Sequence, residues 1–439
     1  MITKEKYDLA LWVMQTALDN GAQETGVTIF DSVSSSVEVR EEKIDKLEQA
    51  NQAGMSIRLM VDKKYSAHST NRLSNKEELK SFIIEAIEGT RYLSEDEHRT
   101  LPDPSLYYKG GGADLQNFDK HFKDVEPQSK IDAAFAVEKE VLGSDERILS
   151  VTASYYDGMN TSVMVTSNGF KGDSSSSYFG LSASVSVDGG DARPQSGWSE
   201  SAIFHKDLKK EGLAKAALER ALKKIGQEKI ASGRMTMLVE NRLAGQILGP
   251  LISALNGSAI QQKNSFLIDK LESKVVSEKL SISDDPTIPS GRGSRHFDNE
   301  GLALSKRPVF ARGILKSYYI DTYYGKKLGM EPSSGSTTNL VVETGSRDLE
   351  AMIASVDRAI LVSGFNGGNT NGTTGDFSYG IEGFLVENGK IVKAISEMNI
   401  TGNMLGLWSN LEETGNDPYL DSSWRTPALL FKDVDFSGL

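Results

Sequence analysis

Residues 235–265 read MTMLVENRLAGQILGPLISALNGSAIQQKNS, and they decide how the chain is built. Met235, Thr236, Met237, Leu238 and Val239 form a short apolar run of strand type. Glu240, Asn241 and Arg242 then turn the chain into its most apolar helix-length segment. Leu243, Ile247, Leu251 and Leu255 recur every four residues, and Leu248 and Ile252 widen the stripe. That pattern predicts a helix buried on most sides. Pro250 lies inside it, removes one backbone hydrogen bond and predicts a kink. A buried helix directly after a strand is a common seat of catalytic groups. Between Leu243 and Leu255, however, there is no His, Asp, Glu, Lys or Cys.

Composition narrows the function classes. The 439 residues suffice for about two to four domains. With 38% hydrophobic and 25% charged residues, a globular core is expected. No uncharged apolar run approaches the ~18 residues of a membrane span. The N-terminus, Met1 to Lys6, lacks the apolar core and cleavage site of a signal peptide, so a cytoplasmic location is expected. The absence of cysteine removes disulfides, thiol nucleophiles and thiolate metal ligands. A net charge of -12 argues against a nucleic-acid surface, which needs a basic field. The best local basic set, Lys206, Lys209, Lys210, Lys215, Arg220, Lys223 and Lys224, is interrupted by acids and reads as a solvated helix face.

Outward from the opening stretch, the periodicity predicts an α+β protein of helix–strands–helix units with large mixed or antiparallel sheets. The first unit, residues 1–110, has a helix over 4–19 with Tyr7, Leu11, Met14 and Leu18 on one face. Strands follow at 28–31, 34–40, 54–61 and 66–70, then a helix over 75–92 capped by Asn75. Residues 94–127 are polar and punctuated by Pro102, Pro104, Gly110, Gly111, Gly112 and Pro127, and read as a flexible linker. The second unit, 111–228, repeats the order. It has a helix over 129–142, strands at 148–157, 161–167 and 170–188, a tight turn at Asn168-Gly169 and a helix over 206–225. The repeated order hints at a duplication. The third unit, 229–439, holds the opening helix. Strands are expected there at 273–281, 308–318, 338–343, 359–362, 377–387 and 428–434, with a hairpin at Asn388-Gly389 and a short helix over 405–411.

Chemistry-bearing constellations are sparse. None of His68, His98, His121, His205 and His296 has a partner at the i, i+4 spacing of a zinc peptidase. His296 lies near Asp298, Glu300, Asp284 and Asp285, a set that suits a hard cation or an acid/base pair, or equally the capping of turns. The serines at 174–177 lack a nucleophile-elbow motif and read as strand decoration. Residues 364–377, rich in Gly, Asn and Thr, are expected to form a long loop. Asn366, Gly367, Gly368, Asn369, Thr374 and Asp376 there are candidates for lining a peptide groove, and the same glycines equally suit a loop needing positive φ.

Several blocks together resemble the TldD/PmbA family, historically called modulators of DNA gyrase. They are Asn264-Ser265-Phe266, Ser283-Asp284-Asp285, Asp298-Asn299-Glu300-Gly301, Gly313-Ile314-Leu315-Lys316, residues 364–377, Gly383-Phe384-Leu385-Val386-Glu387-Asn388-Gly389-Lys390 and Ile400-Thr401-Gly402-Asn403. The resemblance implies two kinds of subunit: TldD-like zinc peptidases with a helical His-Glu-x-x-x-His motif and a distant Cys ligand, and PmbA-like (TldE) subunits without it. Counted back without gaps from Ser265, the motif falls on residues 248–253, where Leu248, Gly249 and Ser253 replace the two His ligands and the Glu base. The Cys ligand has no counterpart here. The sequence therefore resembles the PmbA/TldE type, with no metal, cofactor or catalytic residue expected. The resemblance implies a TldD-like zinc peptidase partner, small or unfolded peptides as substrate, a part in peptide-antibiotic maturation, and a role in enclosing peptide rather than cleaving it. The alternatives are a homodimeric peptide-binding scaffold, or an enzyme of unrelated chemistry built on Ser253 or on Asp284 and Asp298.

Overall fold

The computed structural model describes residues 3–439. The first unit comprises α1 (Thr3–Asp19), β1 (Glu24–Arg40), β2 (Lys43–Val61), β3 (Lys64–Thr70) and α2 (Lys76–Thr90). The second comprises α3 (Pro127–Lys139), β4 (Ile148–Thr166), β5 (Lys171–Val187), β6 (Gln195–Ala202) and α4 (Leu213–Lys223). Both run helix, three strands, helix. Their strands join in one antiparallel sheet of order β3-β2-β1-β4-β5-β6, with the two units meeting at the β1–β4 pair. The paired segments expected at 28–31 and 34–40, and at 148–157 and 161–167, are each one unbroken strand. The polar residues between them sit within continuous ladders.

Alternation along these strands assigns the two faces. Val27, Ile29, Val37 and Val39 of β1 point to the helices, as do Val151, Ala153 and Tyr155 of β4 and Leu181, Ala183 and Val185 of β5. The opposite face carries Ser34 and Ser36 of β1, Ser154 and Ser162 of β4, and Ser174, Ser182 and Ser184 of β5. The serine run is thus strand decoration, with Ser177 turned inward to donate to the carbonyl of Ile203 at 3.0 Å. Asn75 caps α2, its side chain accepting from the amides of Glu77 and Glu78. On α1 the buried face is Lys6, Ala10, Val13, Thr16 and Ala17, not the expected Tyr7, Leu11, Met14 and Leu18. Small side chains let the helix approach the sheet closely, and Lys6 pairs with Asp31 at 2.9 Å.

The third unit begins with β7 (Gly233–Val239), α5 (Asn241–Ser253), α6 (Gly257–Gln261), β8 (Ile282–Asp284), β9 (Arg307–Ala311) and β10 (Ile314–Leu315). It continues through α7 (Thr322–Leu328), β11 (Leu340–Val342), α8 (Leu349–Ala354), β12 (Arg358–Thr370) and β13 (Asp376–Glu387). It ends with β14 (Lys390–Asn403), α9 (Met404–Ser409), β15 (Leu411–Thr414), β16 (Trp424–Arg425) and β17 (Leu429–Ser437). One sheet has the order β14-β13-β12-β7-β17-β15 and curls until β14 also pairs with β17. A second has the order β10-β9-β8-β11-β16. The core packs Ile247, Leu248, Leu251 and Leu255 of the opening helix against both sheets. Burying four such side chains contributes roughly 2 kcal/mol each. Asn388 and Gly389 both have positive φ, as the expected tight β13–β14 turn requires.

Four further expectations are corrected. Residues 273–281 form turns and coil, because their backbone bonds go to Leu315, Gly313 and Trp408 individually rather than to a ladder. The helix expected over 206–225 starts only at Leu213, because Gly212 takes φ 82 immediately before it. The linker is not free. Tyr108 stacks on His296 at 5.1 Å, its amide donates to the carbonyl of Gly301, and Leu115 is buried. Residues 364–377 are not a loop but the end of a β-hairpin, described next.

Candidate functional site

The opening helix is placed by β7. Leu238 and Val239 are fully buried between β12 and β17, and Glu240 ends the strand and begins α5. On α5, Ala244, Ile247, Leu248, Leu251 and Ile252 face the core, while Gln246 and Ser253 are exposed. Pro250 lies within one helical stripe with Gln246 and Ser253. The Gln246 carbonyl that Pro250 leaves unbonded therefore faces the solvent side. Gly249 approaches the Trp424 ring, and a Cβ there would stand 3.8 Å from it.

These positions do not fit the zinc that the family resemblance implies. Leu248 has 0% exposure and is apolar, Gly249 has no side chain, and Ser253 points to solvent. Among the described residues no group of three His, Cys, Asp or Glu side chains is disposed to hold a metal.

The carboxylates around His296 have structural partners. Asp298 accepts from the amides of Glu300 and Leu302, at 2.9 and 3.0 Å, and holds its turn. Asp284 is buried, accepts from the Thr338 amide at 2.8 Å and faces Arg307 at 3.5 Å. Asp285 accepts from Thr287 and Lys306, and these bonds keep its carboxyl below the usual range despite partial burial. Glu300 bonds the Thr322 amide and hydroxyl, while burial pushes its pKa up. Turn capping accounts for Asp298 and Asp285, and ion pairing for Asp284.

The groove candidates divide. β12 bulges between Phe365 and Gly368, where it pairs β13 through Ile381 and then Tyr379. Gly367 and Gly368 take φ 88 and 120 to form that bulge. A Cβ on Gly368 would lie 2.2 Å from the Ser378 carbonyl oxygen. Thr374 and Asp376 tie off the hairpin end: Asn403 donates to the Thr374 carbonyl at 2.8 Å and to Asp376 at 3.0 Å. The Asn403 and Thr374 hydrogen bonds hold the Asp376 carboxyl below its usual pKa. Gly367, Gly368 and Asn369 are exposed along the bulged strand. Of the six, Asn366 lines a cavity.

That cavity, of about 830 Å³, lies between the serine-rich face of the first sheet and the start of α5. Thr152, Ser154, Ser182 and Ser184 form one wall, and Ser363, Asn366 and Glu382 the other. Three of its charged side chains, Arg220, Lys224 and Arg242, are paired across the units. Arg220 meets Glu240 at 2.7 Å, and Lys224 meets Glu382 at 2.5 Å. Arg242 lies 3.6 Å over the Trp198 ring and 3.3 Å from Glu200. Glu240 also stands where the helix dipole favours a negative charge. Nearby, burial, followed by the charge of Glu200, raises the pKa of Asp421. The walls offer hydroxyls and charges of both signs, a surface suited to a polar guest such as a short peptide.

Much of this cavity was invisible in the sequence. Lys206, Lys209, Lys210, Lys215 and Lys223 are exposed as expected, but Arg220 and Lys224 are not on the solvated face. Arg220 on α4 and Lys224, the residue that caps it, are four apart and turn together toward the cavity, which was their one local signal. Trp198 and Glu382 gave none.

Comparison with known proteins agrees with the resemblance. Profiles of the PmbA/TldA metallopeptidase match in order: domain 1 over residues 27–89, the central domain over 120–225 and the C-terminal domain over 232–438. A metalloprotease PmbA homolog of Buchnera aphidicola is 26% identical over 422 residues, covering 94% of this chain and 92% of its own length. A crystal structure from Bacteroides thetaiotaomicron, described as a modulator of DNA gyrase, is 50% identical, covers 100% of both chains and superposes with a TM-score of 0.98. TldE of Thermococcus kodakarensis, 19% identical, covers 98% of this chain and 100% of its own and shares the fold with a TM-score of 0.87. With the three domain profiles matched in order along its length, the chain belongs to the PmbA/TldD family.

Proposed function

We propose that this chain is a non-catalytic PmbA/TldE-like subunit that assembles with a TldD-like zinc peptidase and helps enclose small or unfolded peptides. The observation that carries the reading is α5: at the counted motif positions it has buried Leu248, Gly249 against Trp424 and exposed Ser253. Zinc hydrolysis needs ligands and a base for the attacking water. The polar cavity beside the helix N-terminus supports a holding role, with Asn366 as its contact from the candidate set. The test is reconstitution. The purified chain alone should contain substoichiometric zinc and leave unfolded peptides intact. A TldD-like subunit should co-purify with it from its native host and cleave them. Stoichiometric zinc and cleavage by this chain alone would sink the reading.

A further inference from the structure

We propose that a second cavity, over the β1–β2 end of the first sheet, binds the free C-terminal carboxylate of a peptide whose last side chain is apolar, with Arg58 as the partner of that carboxylate. This rests on the peptide-enclosing reading above and adds to it which end of the peptide is recognised. The cavity has a volume of about 750 Å³. Its floor is Thr28, Ser56, Arg58 and Met164, which share the hydroxyl-bearing face of the sheet. Its roof is the connecting segment at Leu115 and Phe118, with the turn at residues 295–300. Thr28 here and Glu38 in the first cavity are ten residues apart on β1. That is roughly 33 Å of strand, so the two sites are distinct.

Arg58 is a cation without a counter-charge. On β2 it stands between Gly26 of β1 and Ala67 of β3, so neither neighbouring strand sets a carboxylate across from it. The guanidinium lies over Gly26, where a Cβ would come within 2.9 Å of Nη2. Among the described residues its side chain forms no ion pair, and it donates only to the Met164 sulfur at 3.8 Å, a weak acceptor. Arg295, the other arginine of the cavity, donates to Ser336 Oγ at 2.9 Å and to the Thr337 carbonyl at 2.8 Å. The four carboxylates that line the cavity are committed elsewhere. Asp114 accepts from the Gln116 amide at 2.9 Å and Asp173 from the Tyr7 hydroxyl at 3.0 Å. Asp298 accepts from the amides of its turn, and Glu300 from Thr322. What the cavity presents is therefore donors: the Arg58 fork and the hydroxyls of Thr28 and Ser56. A planar fork matches the two oxygens of a carboxylate. Beside it, Leu115, Phe118, Met164 and Phe297 supply an apolar wall. The last residue of a peptide carries a carboxylate directly next to a side chain, and burying an apolar one here adds to the charge-assisted bond. A peptide end is favoured over other organic acids because the floor continues the hydroxyl-bearing face of the first cavity.

The test is isothermal titration calorimetry on the full chain with an N-acetylated tetrapeptide ending in phenylalanine, as the free acid and as the C-terminal amide. The acid should bind roughly tenfold tighter than the amide, the effect of one charge-assisted hydrogen-bonded contact. Arg58→Gln should bring the acid down to the affinity of the amide. Arg58→Lys, which keeps the charge and loses the fork, should retain part of the preference. Arg58 is half-buried and lies on the sheet face away from the helices, so both variants should fold, which circular dichroism checks. Equal binding of acid and amide by the parent chain, or a preference for the acid that survives Arg58→Gln, would overturn the carboxylate site and leave the peptide-enclosing reading standing. N-acetylphenylalanine titrated in parallel separates the other failures. If it binds through Arg58 while neither peptide binds, the cavity is a site for small acids, and the peptide reading falls with the proposal. If none of the three binds, the site itself is overturned.

Discussion

Gly367 and Gly368 show how one atom decides a local structure. Both have positive φ, but only Gly368 has backbone within reach of a new Cβ, at 2.2 Å, while Gly367 has open space around it. Gly367→Ala should therefore cost about 1 kcal/mol, for the backbone conformation alone. Gly368→Ala should cost about 3 kcal/mol, because the β12–β13 ladder must also open. Urea unfolding of the two variants checks this, and equal losses would refute the steric account. Their sequence, Asn-Gly-Gly-Asn, promised positive φ but could not reveal that the purpose was a bulge inside a ladder rather than a loop. Tyr379 and Ser378, which form the close approach, are more than nine residues away in the chain.

At the scale of elements, α5 was legible because a stripe repeating every four residues has one geometric meaning. Its burial between two sheets follows from that stripe, and so does the place of Pro250, on the side where a lost hydrogen bond is hydrated. Grafting the family motif onto it by Leu248→His, Gly249→Glu and Ser253→His should not create a zinc site. Residue 248 points into the core and residue 253 away from it, and no thiolate is available. Metal analysis after dialysis should find no stoichiometric zinc, and the protein should lose at least ~3 kcal/mol of stability from the buried imidazole. One tightly bound zinc per chain would show that the counted alignment and the helix geometry are both misread. The connecting segment makes the opposite point. Its Pro and Gly residues suggested freedom, yet Tyr108, Leu115 and Asn117 anchor it to the third unit. Trypsin should cut slowly at Lys109 and Lys120, and Tyr108→Ala should speed cleavage several-fold, since local opening governs proteolysis.

Across the whole molecule, the first sheet is clasped to the third unit by charged side chains. Glu200 of β6 accepts from Trp198 at 2.8 Å and faces Arg242 of α5 at 3.3 Å, Lys209 at 4.0 Å, and Asp421. Arg292 and Arg242 lower the Asp421 pKa, but burial and Glu200 raise it more. A carboxyl whose folded pKa is raised stabilises the fold when protonated. Its contribution is complete below the unfolded value of about 3.9 and is lost as pH rises through the folded one. Asp421→Asn keeps the size and removes the titration. The melting temperature of the variant relative to the parent should thus climb from about pH 4 upward and level off once Asp421 is ionised. A difference that does not change with pH would show that the carboxyl does not titrate with folding.

The sequence by itself determined the α+β class, the twice-repeated helix–strands–helix order, the buried helix after β7 and the family. Each depends on local periodicity or on contiguous blocks, which a chain carries wherever it folds. The absence of His, Asp, Glu, Lys and Cys between Leu243 and Leu255 was equally legible, because an absence of residue types needs no coordinates. Only the tertiary structure fused the split strands into ladders, joined two units into one sheet and turned Arg220 and Lys224 from solvent to the cavity. It also paired residues 43–53 with β1 while β3 reaches only residues 55–61 of the same strand. The physical reason is common to all of these. Strand pairing and ion pairing join residues far apart in the chain, so a charge or an edge acquires its meaning only from what lies across from it.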